Sequence, residues 1–189
     1  MKIDGNAIRP GMVIEHKGGL WRAVKTEHTQ PGKSGAYMQV ELRDIRSGTK
    51  LNERFRASEK VERATLEQLE HQYLFSNGDS HTFMDNETYE QVELNTELLG
   101  EDQVPFLQDG MIVIIESHEG VPLGAQLPNS VILEVTEADA VVKGQTASSS
   151  YKPAVMENGV RVMVPPHIEA GTRIVVNTAD RSYMERAKD

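Results

Sequence analysis

The sequence predicts an all-β protein made of three small barrel-like units. Short runs of alternating apolar and polar residues recur about every 8–12 residues, with glycine, proline, asparagine or serine between them, a pattern typical of sandwiches and barrels. These runs fall into three blocks, 1–63, 64–127 and 128–189, and only one short segment favours a helix. A block of about 60 residues is marginally stable alone, so we expect each to gain stability by docking on its neighbour.

The first block predicts a small sheet. His16–Trp21 has the composition of a hairpin between the strands Met12–Glu15 and Leu20–Lys25. Val24–Val40 indicates two further strands joined by a long hairpin, and Leu51–Phe55 returns antiparallel after the turn at Ser47–Thr49.

The second block predicts a hairpin, a helix and a buried strand. Asn77-Gly78 lies between the apolar runs Tyr73–Phe75 and His81–Met84, and we expect both turn residues to tolerate positive φ. Asn95 or Thr96 is a suitable cap for a helix that extends to Glu101. The apolar run after it, together with the segment that follows a further turn, predicts two strands, Met111–Glu116 and Val121–Gln126.

The third block predicts four strands, and its small polar run Thr146–Ser150 predicts a loop within the block. The predicted strands are Val131–Val135, Val160–Val164, Arg173–Asn177 and Ser182–Glu185.

Composition and charge limit the classes of function. The chain has no cysteine, which excludes disulfides and thiolate chemistry and suits a reducing compartment, and neither a signal peptide nor a bilayer-spanning run is predicted. Residues 1–62 contain 12 Lys and Arg against 8 Asp and Glu, a net of +4, whereas residues 63–127 contain 1 against 13, a net of −12. This asymmetry is consistent with a polyanion-facing first block, although chance variation in an acidic protein explains it as well.

Motifs for catalysis or metal binding do not emerge. The six histidines show no metal-ligand spacing, so no metal site is predicted. Gly32-Lys33-Ser34 resembles the end of a phosphate-binding loop, but Glu27 occupies the place of its first glycine and a hairpin is the wrong context. The many carboxylates of residues 85–102 fit a solvated face better than an acid–base pair.

The hairpin tip Pro31–Gly35 raises the question of what Lys33 does. Proline suits a turn position and the flanking glycines permit positive φ, and no large apolar side chain is present to pack the lysine down. An arm of about six residues would place the tip roughly 20 Å from the sheet. An exposed lysine is a poor general base, although it is able to contact phosphate or carry a covalent extension. From the residues alone, a solubilising turn lysine remains the simpler interpretation.

Motifs across essentially the whole chain resemble bacterial translation elongation factor P. In the first two blocks they are Arg9–Gly11, Pro31–Lys33, Gly48–Phe55, Tyr73–Phe75, Asn77–Asp79 and Phe83–Gln91. In the third block they are Gly144–Thr146, Lys152–Ala154, Gly159–Pro165 and Ile168–Gly171.

The resemblance implies an SH3-like (KOW-type) barrel followed by two OB-fold barrels, in an L-shaped arrangement similar to tRNA. It implies a cytoplasmic, monomeric, non-enzymatic factor without cofactor or membrane contact. Such a factor binds both ribosomal subunits beside peptidyl-tRNA and relieves stalling at consecutive prolines. The loop Pro31, Gly32, Lys33, Ser34 and Gly35 would contact the CCA end of the peptidyl-tRNA, and Gly144, Gln145 and Thr146 would lie near the exit-site codon. Lys33 would be extended, for example by a β-lysyl group, by a dedicated modifying enzyme.

Two residues depart from the common family pattern, and two rival classes remain. Ser34 replaces a frequent glycine, which leaves the modifying enzyme open, and Gln145 replaces a frequent aspartate, which removes a negative charge near the codon. Related paralogues usually carry arginine at the tip, so Lys33 favours the main branch. The alternative function is a single-stranded nucleic-acid-binding OB protein, which would need aromatic platforms on a basic groove. A small enzyme is the third class and lacks a recognisable site.

Overall fold

The computed structural model describes residues 1–33, 35–140 and 150–188. Over these residues sixteen β-strands form three curled sheets with one four-residue α-helix, which confirms the predicted all-β class. The chain divides into two compact units, Met1–Leu69 with Ile115–Gly124 and Glu70–Ile114 with Ala125–Asp189. The three-domain boundaries 1–63, 64–127 and 128–189 stay a prediction.

The first sheet has six strands and holds the hairpin of interest. Its order is β1-β6-β2-β3-β4-β5, with β1 (Lys2–Asp4), β2 (Val13–His16), β3 (Gly19–Thr29), β4 (Tyr37–Asp44), β5 (Lys50–Arg56) and β6 (Lys60–Ala64). The period-two pattern of β4 buries Met38, Val40 and Leu42 in one core with Ile14 and Phe55. The predicted hairpin between β2 and β3 is confirmed, and Lys17 and Gly18 both have positive φ at its turn.

The second sheet has five strands in the order β11-β10-β7-β8-β9. They are β7 (Glu67–Asn77), β8 (Ser80–Asp85), β9 (Gln91–Asn95), β10 (Ile112–His118) and β11 (Val121–Gln126), with the helix α1 (Thr96–Leu99) after β9. The predicted helix is confirmed at its start, where the Asn95 side chain accepts a hydrogen bond from the Leu98 amide at 2.7 Å. It is shorter than predicted, because it ends at Leu99 and not at Glu101, with Gly100 at the cap in positive φ (99°).

The turn between β7 and β8 differs from the prediction. Asn77 pairs with Ser80 as the last rung of the ladder, so the two-residue loop is Gly78-Asp79 and not Asn77-Gly78. Gly78 has positive φ and Asn77 does not. Glycine at the first loop position is the requirement of a type II′ turn, and this explains why the strand continues through Asn77.

The third sheet also has five strands, in the order β14-β13-β12-β15-β16. They are β12 (Ser130–Ala138), β13 (Lys152–Met156), β14 (Arg161–Val164), β15 (Arg173–Asn177) and β16 (Tyr183–Arg186). Val131, Leu133 and Val135 alternate inward along β12, as their period-two spacing predicts. In the described parts of the chain, no helix has the length and hydropathy that crossing a bilayer requires.

Candidate functional site

The β3–β4 hairpin holds Lys33 at its tip. The two strands pair antiparallel up to Thr29 opposite Tyr37, and residues 30–36 connect them beyond the last rung. This confirms the predicted hairpin over Val24–Val40, with an irregularity in the ladder between Ala23 and Lys25. Lys33 therefore lies at the middle of the connection, four residues from each strand end.

The loop presents Lys33 to solvent. Gly32, Lys33 and Gly35 are exposed and Pro31 is half-buried, while Ser34 lies outside the described residues. Within the described chain, Lys33 forms no ion pair or hydrogen bond, so its ammonium group is available to a partner. A Cβ placed at Gly32 meets no heavy atom within 4 Å, and φ at Gly32 is outside the left-handed region. Gly32 therefore does not adopt the positive φ that the sequence suggested, and the loop has room for a side chain at this position.

The reach of the arm is shorter than the sequence suggested. Met38 is 4% exposed and Val40 is fully buried, so the outer rungs of the hairpin belong to the core of the barrel. Beyond the rung at Thr29, four residues lead to Lys33, which limits its backbone to about 13 Å from the sheet at about 3.3 Å per residue. The expectation of roughly 20 Å is wrong because it treated core rungs as a free arm.

A stacked pair stiffens the strand where the loop re-enters the sheet. The Arg54 guanidinium lies over the Tyr37 ring, 4.1 Å from its centroid, in a cation–π arrangement. Tyr37 is the first residue of β4, so the stack fixes the side chain next to the loop. The sequence did not predict this pair. Gln39 lies opposite Arg54 in the β4–β5 ladder, so Tyr37, two residues before Gln39, is a diagonal neighbour of Arg54. Only the strand register, and no local sequence pattern, brings the two side chains together.

The second predicted site, Gly144, Gln145 and Thr146, lies outside the described residues. Those residues belong to the connection between β12 and β13, which pair from Ala138 opposite Ala154.

A buried histidine in the second sheet is the arrangement most similar to a catalytic pair. His81 is 1% exposed, and its Nδ1 lies 2.6 Å from Ser76 Oγ while its Nε2 lies 2.8 Å from Thr96 Oγ1. Burial lowers the pKa of His81, and the nearby Asp79 charge only partly opposes this.

The surrounding hydrogen bonds explain His81 as a structural group. Thr96 Oγ1 donates to the Asp79 carbonyl, so toward His81 it accepts, and the His81 proton is on Nε2. His81 Nδ1 then accepts from the Ser76 hydroxyl, and Ser76 Oγ accepts from the Tyr73 hydroxyl. Both ring nitrogens are satisfied in the neutral state, and the group beyond Nε2 is a threonine and not a carboxylate. The network ties β7, β8 and the start of α1 together.

In the described parts of the chain, no group of three or more His, Asp or Glu side chains is arranged to bind a metal ion. The geometry thus leaves one exposed amine on a fixed hairpin as the feature best suited to an outside partner.

Comparison with known proteins places the chain in a family. The model of the elongation factor P KOW-like domain matches residues 4–61, that of the elongation factor P OB domain matches residues 66–125, and that of the elongation factor P C-terminal region matches residues 131–186. The chain belongs to the elongation factor P family.

Curated relatives support the assignment over the full length. The chain is 63% identical over 187 residues to elongation factor P of Parvibaculum lavamentivorans and 61% identical to that of Zymomonas mobilis. Each alignment covers 99% of this chain and all of the relative. These relatives are named as elongation factors and not as enzymes.

Solved structures share the fold of part of the chain. Eukaryotic translation initiation factor 5A from Methanococcus jannaschii superposes with a TM-score of 0.55 at 24% identity, covering 68% of this chain and 94% of that one. A translation initiation factor eif-5a family protein from Naegleria fowleri gives a TM-score of 0.53 at 18% identity, over 66% and 94% of the two chains.

Proposed function

We propose that this chain is a translation elongation factor that acts in the cytoplasm by binding the ribosome beside the peptidyl-tRNA. There it speeds peptide-bond formation at consecutive prolines through Lys33. The observation that carries the proposal is the exposed, unpaired Lys33 at the tip of a hairpin whose outer rungs are anchored in a barrel core. Family membership supports the translation role.

The chemistry of proline explains why positioning alone is useful. Proline is a secondary amine with a fixed φ, so a peptidyl-prolyl chain and an incoming prolyl-tRNA reach the attack geometry poorly. A protein that holds the CCA end of the peptidyl-tRNA in a productive position lowers the entropic part of the barrier. Such a protein need supply no acid, base or nucleophile.

A pair of reporters tests the proposal. Reconstituted translation of a Pro-Pro-Pro reporter and a matched Ala-Ala-Ala reporter should show that the factor accelerates only the first. Lys33→Ala should abolish that acceleration because the loop loses its cation. Lys25→Ala, which removes an exposed lysine from β3 of the same hairpin, should keep it. Full activity of Lys33→Ala would contradict the proposal.

We further propose that Lys33 carries a covalent extension, such as a β-lysyl group, added by a dedicated enzyme. The backbone at the tip reaches at most about 13 Å beyond the sheet, and a longer side chain extends this reach without unpacking Met38 or Val40. Peptide mass spectrometry of protein from its native source tests this. Unmodified Lys33 would leave a bare-lysine mechanism in its place.

The loop containing Gly144, Gln145 and Thr146 is proposed to lie near the exit-site codon, where neutral Gln145 avoids repelling the phosphates. Gln145→Asp should weaken ribosome binding on the stalled reporter without changing the rate at saturating factor. A change in that rate would assign the loop a different role.

A further inference from the structure

An ion pair joins the strand that leads to Lys33 with a distant segment of the same unit. Arg22 in β3 donates from Nη2 to Glu116 Oε2 in β10 at 2.7 Å, although the residues are 94 positions apart. The other carboxylate oxygen of Glu116 accepts from Gln68 Nε2 at 3.5 Å, and Arg22 Nη1 donates to the Gly11 carbonyl at 3.4 Å. The guanidinium thus connects β3, β10 and the loop before β2.

The pair is partly sheltered from solvent. The Glu116 side chain is 19% exposed and that of Arg22 is 39% exposed. The short charge-assisted hydrogen bond between this half-buried carboxylate and the guanidinium is directional, and it therefore constrains β3 relative to β10.

Packing elsewhere between the first sheet and the β10–β11 hairpin is incomplete. An open cleft of about 690 Å³ is lined on one side by the turns of the first sheet, including Lys17 and Arg46, and on the other by His118 and Leu123. Because open space separates these side chains, they do not pack against each other at this place, and the hydrogen bonds of Arg22 and Glu116 are directional contacts between β3 and β10.

The position of Arg22 makes small rotations matter at the tip. Eleven residues lead from Arg22 to Lys33, an upper limit of about 36 Å at about 3.3 Å per residue. A rotation of about 5° at Arg22 would displace a tip at that distance by about 3 Å. Misplacement of about 1 Å is enough to cost a positioned reaction up to about 100-fold.

We propose that Arg22 and Glu116 are positioning residues that fix the direction in which the β3–β4 hairpin presents Lys33. Neither residue touches the peptidyl-tRNA in this proposal; both act through β3. The inference rests on the proposed function, since its effect on rate requires that Lys33 is the working group.

Distance measurements test the geometry without reference to activity. The sequence contains no cysteine, so Glu27→Cys in β3 and Val121→Cys in β11, both exposed, accept spin labels without background. Pulsed electron spin resonance should give one narrow distance distribution for the parent, and Glu116→Arg should shift or broaden it by about 2 Å or more. The charge swap Arg22→Glu with Glu116→Arg should restore the parent distribution.

A matched control separates the pair from charge change in general. Glu41→Arg breaks the ion pair of Glu41 with Lys50, which joins β4 and β5 within the first sheet at 3.1 Å. It adds the same charge as Glu116→Arg and should leave the 27–121 distance unchanged.

Rates on the Pro-Pro-Pro reporter then test positioning. At saturating factor, Glu116→Arg should lower the rate about tenfold while the half-saturating concentration changes less than about twofold, because ribosome binding persists and alignment does not. The swap should recover the rate, and Glu41→Arg should keep it. A loss of folded protein would instead raise the half-saturating concentration.

Three outcomes would overturn the inference. They are an unchanged distance distribution in Glu116→Arg, a changed distribution with an unchanged saturating rate, and a charge swap that restores neither. If Lys33→Ala also keeps full activity, the proposed function fails, and the distances still decide whether the pair orients the hairpin.

Discussion

Gly32→Ala tests whether the tip loop carries glycine for its own fold or for a partner. A Cβ at Gly32 has open space within 4 Å and φ is outside the left-handed region, so alanine requires no change in the loop. Alanine also restricts the unfolded chain. We therefore expect the free energy of unfolding to stay constant or rise by up to about 1 kcal/mol.

Gly5→Ala is the matched substitution at a glycine that the fold does require. Gly5 is buried, and a Cβ there would lie 2.3 Å from the Arg56 carbonyl oxygen and 3.1 Å from Phe55 Cβ. Backbone cannot move aside as a flexible side chain does, so we expect a loss of about 1–3 kcal/mol or more. Urea unfolding followed by the fluorescence of Trp21, the single tryptophan and a member of the same sheet, measures both variants.

The rates of Pro-Pro-Pro synthesis by the two variants then show whether Gly32 is required by a partner. If close approach of the peptidyl-tRNA backbone requires glycine, Gly32→Ala should be as stable as the parent and should slow Pro-Pro-Pro synthesis. Gly5→Ala should unfold earlier and, at saturating folded protein, keep its rate. A Gly32→Ala variant that loses more than 1 kcal/mol, or that is stable and fully active, would refute the reasoning.

Three further predictions concern the second sheet and the base of the loop. Because burial lowers the pKa of His81 in the folded protein, the unfolded chain takes up its proton first as pH falls below about 6.5. Stability should therefore decline between pH 7.5 and pH 5.5 in calorimetry, and an increase over that range would contradict the assignment of neutral His81. Thr96→Val should cost about 1–3 kcal/mol because it leaves the buried Nε2–H without an acceptor, measured against Thr88→Val at an exposed turn, and equal effects would disprove the network. Arg54→Ala should cost about 0.5–1 kcal/mol through loss of the Tyr37 stack, whereas the neighbouring Arg56→Ala should cost less, and the reverse order in urea unfolding would argue against the stack.

The sequence predicted those strands that bury one face. Met38, Val40 and Leu42 alternate with polar residues, and all three are buried because a period of two places them on the same side of β4. It missed β13, where Pro153 discourages a strand assignment. In the structure the β12–β13 ladder begins at Ala154, one residue after Pro153, which pairs only with Met163 of β14. The strand therefore tolerates a proline nitrogen that cannot donate a hydrogen bond to β12.

The candidate site was predictable in position and not in reach or orientation. Turn chemistry around Lys33 marked the tip correctly, because proline and glycine act locally. How far the tip extends depends on the burial of Met38, which is a tertiary property, and the link between Arg22 and Glu116 joins residues too distant for any local pattern. Local rules therefore located the hairpin tip and its exposed lysine, whereas contacts across the fold, which no local pattern encodes, bear on its reach and direction.

The charge distribution gives this arrangement a further consequence. A chain that was basic throughout would bind phosphate along its whole surface, and its affinity would not depend on where the hairpin points. Here the net of +4 in residues 1–62 is followed by −12 in residues 63–127, so the net positive charge lies in the block that holds Lys33. Attraction limited to one block makes binding depend on the placement of that block. Under the proposed function, a directed lysine and an acidic middle block thus serve the same requirement, which is to let one amine meet one RNA backbone in one geometry.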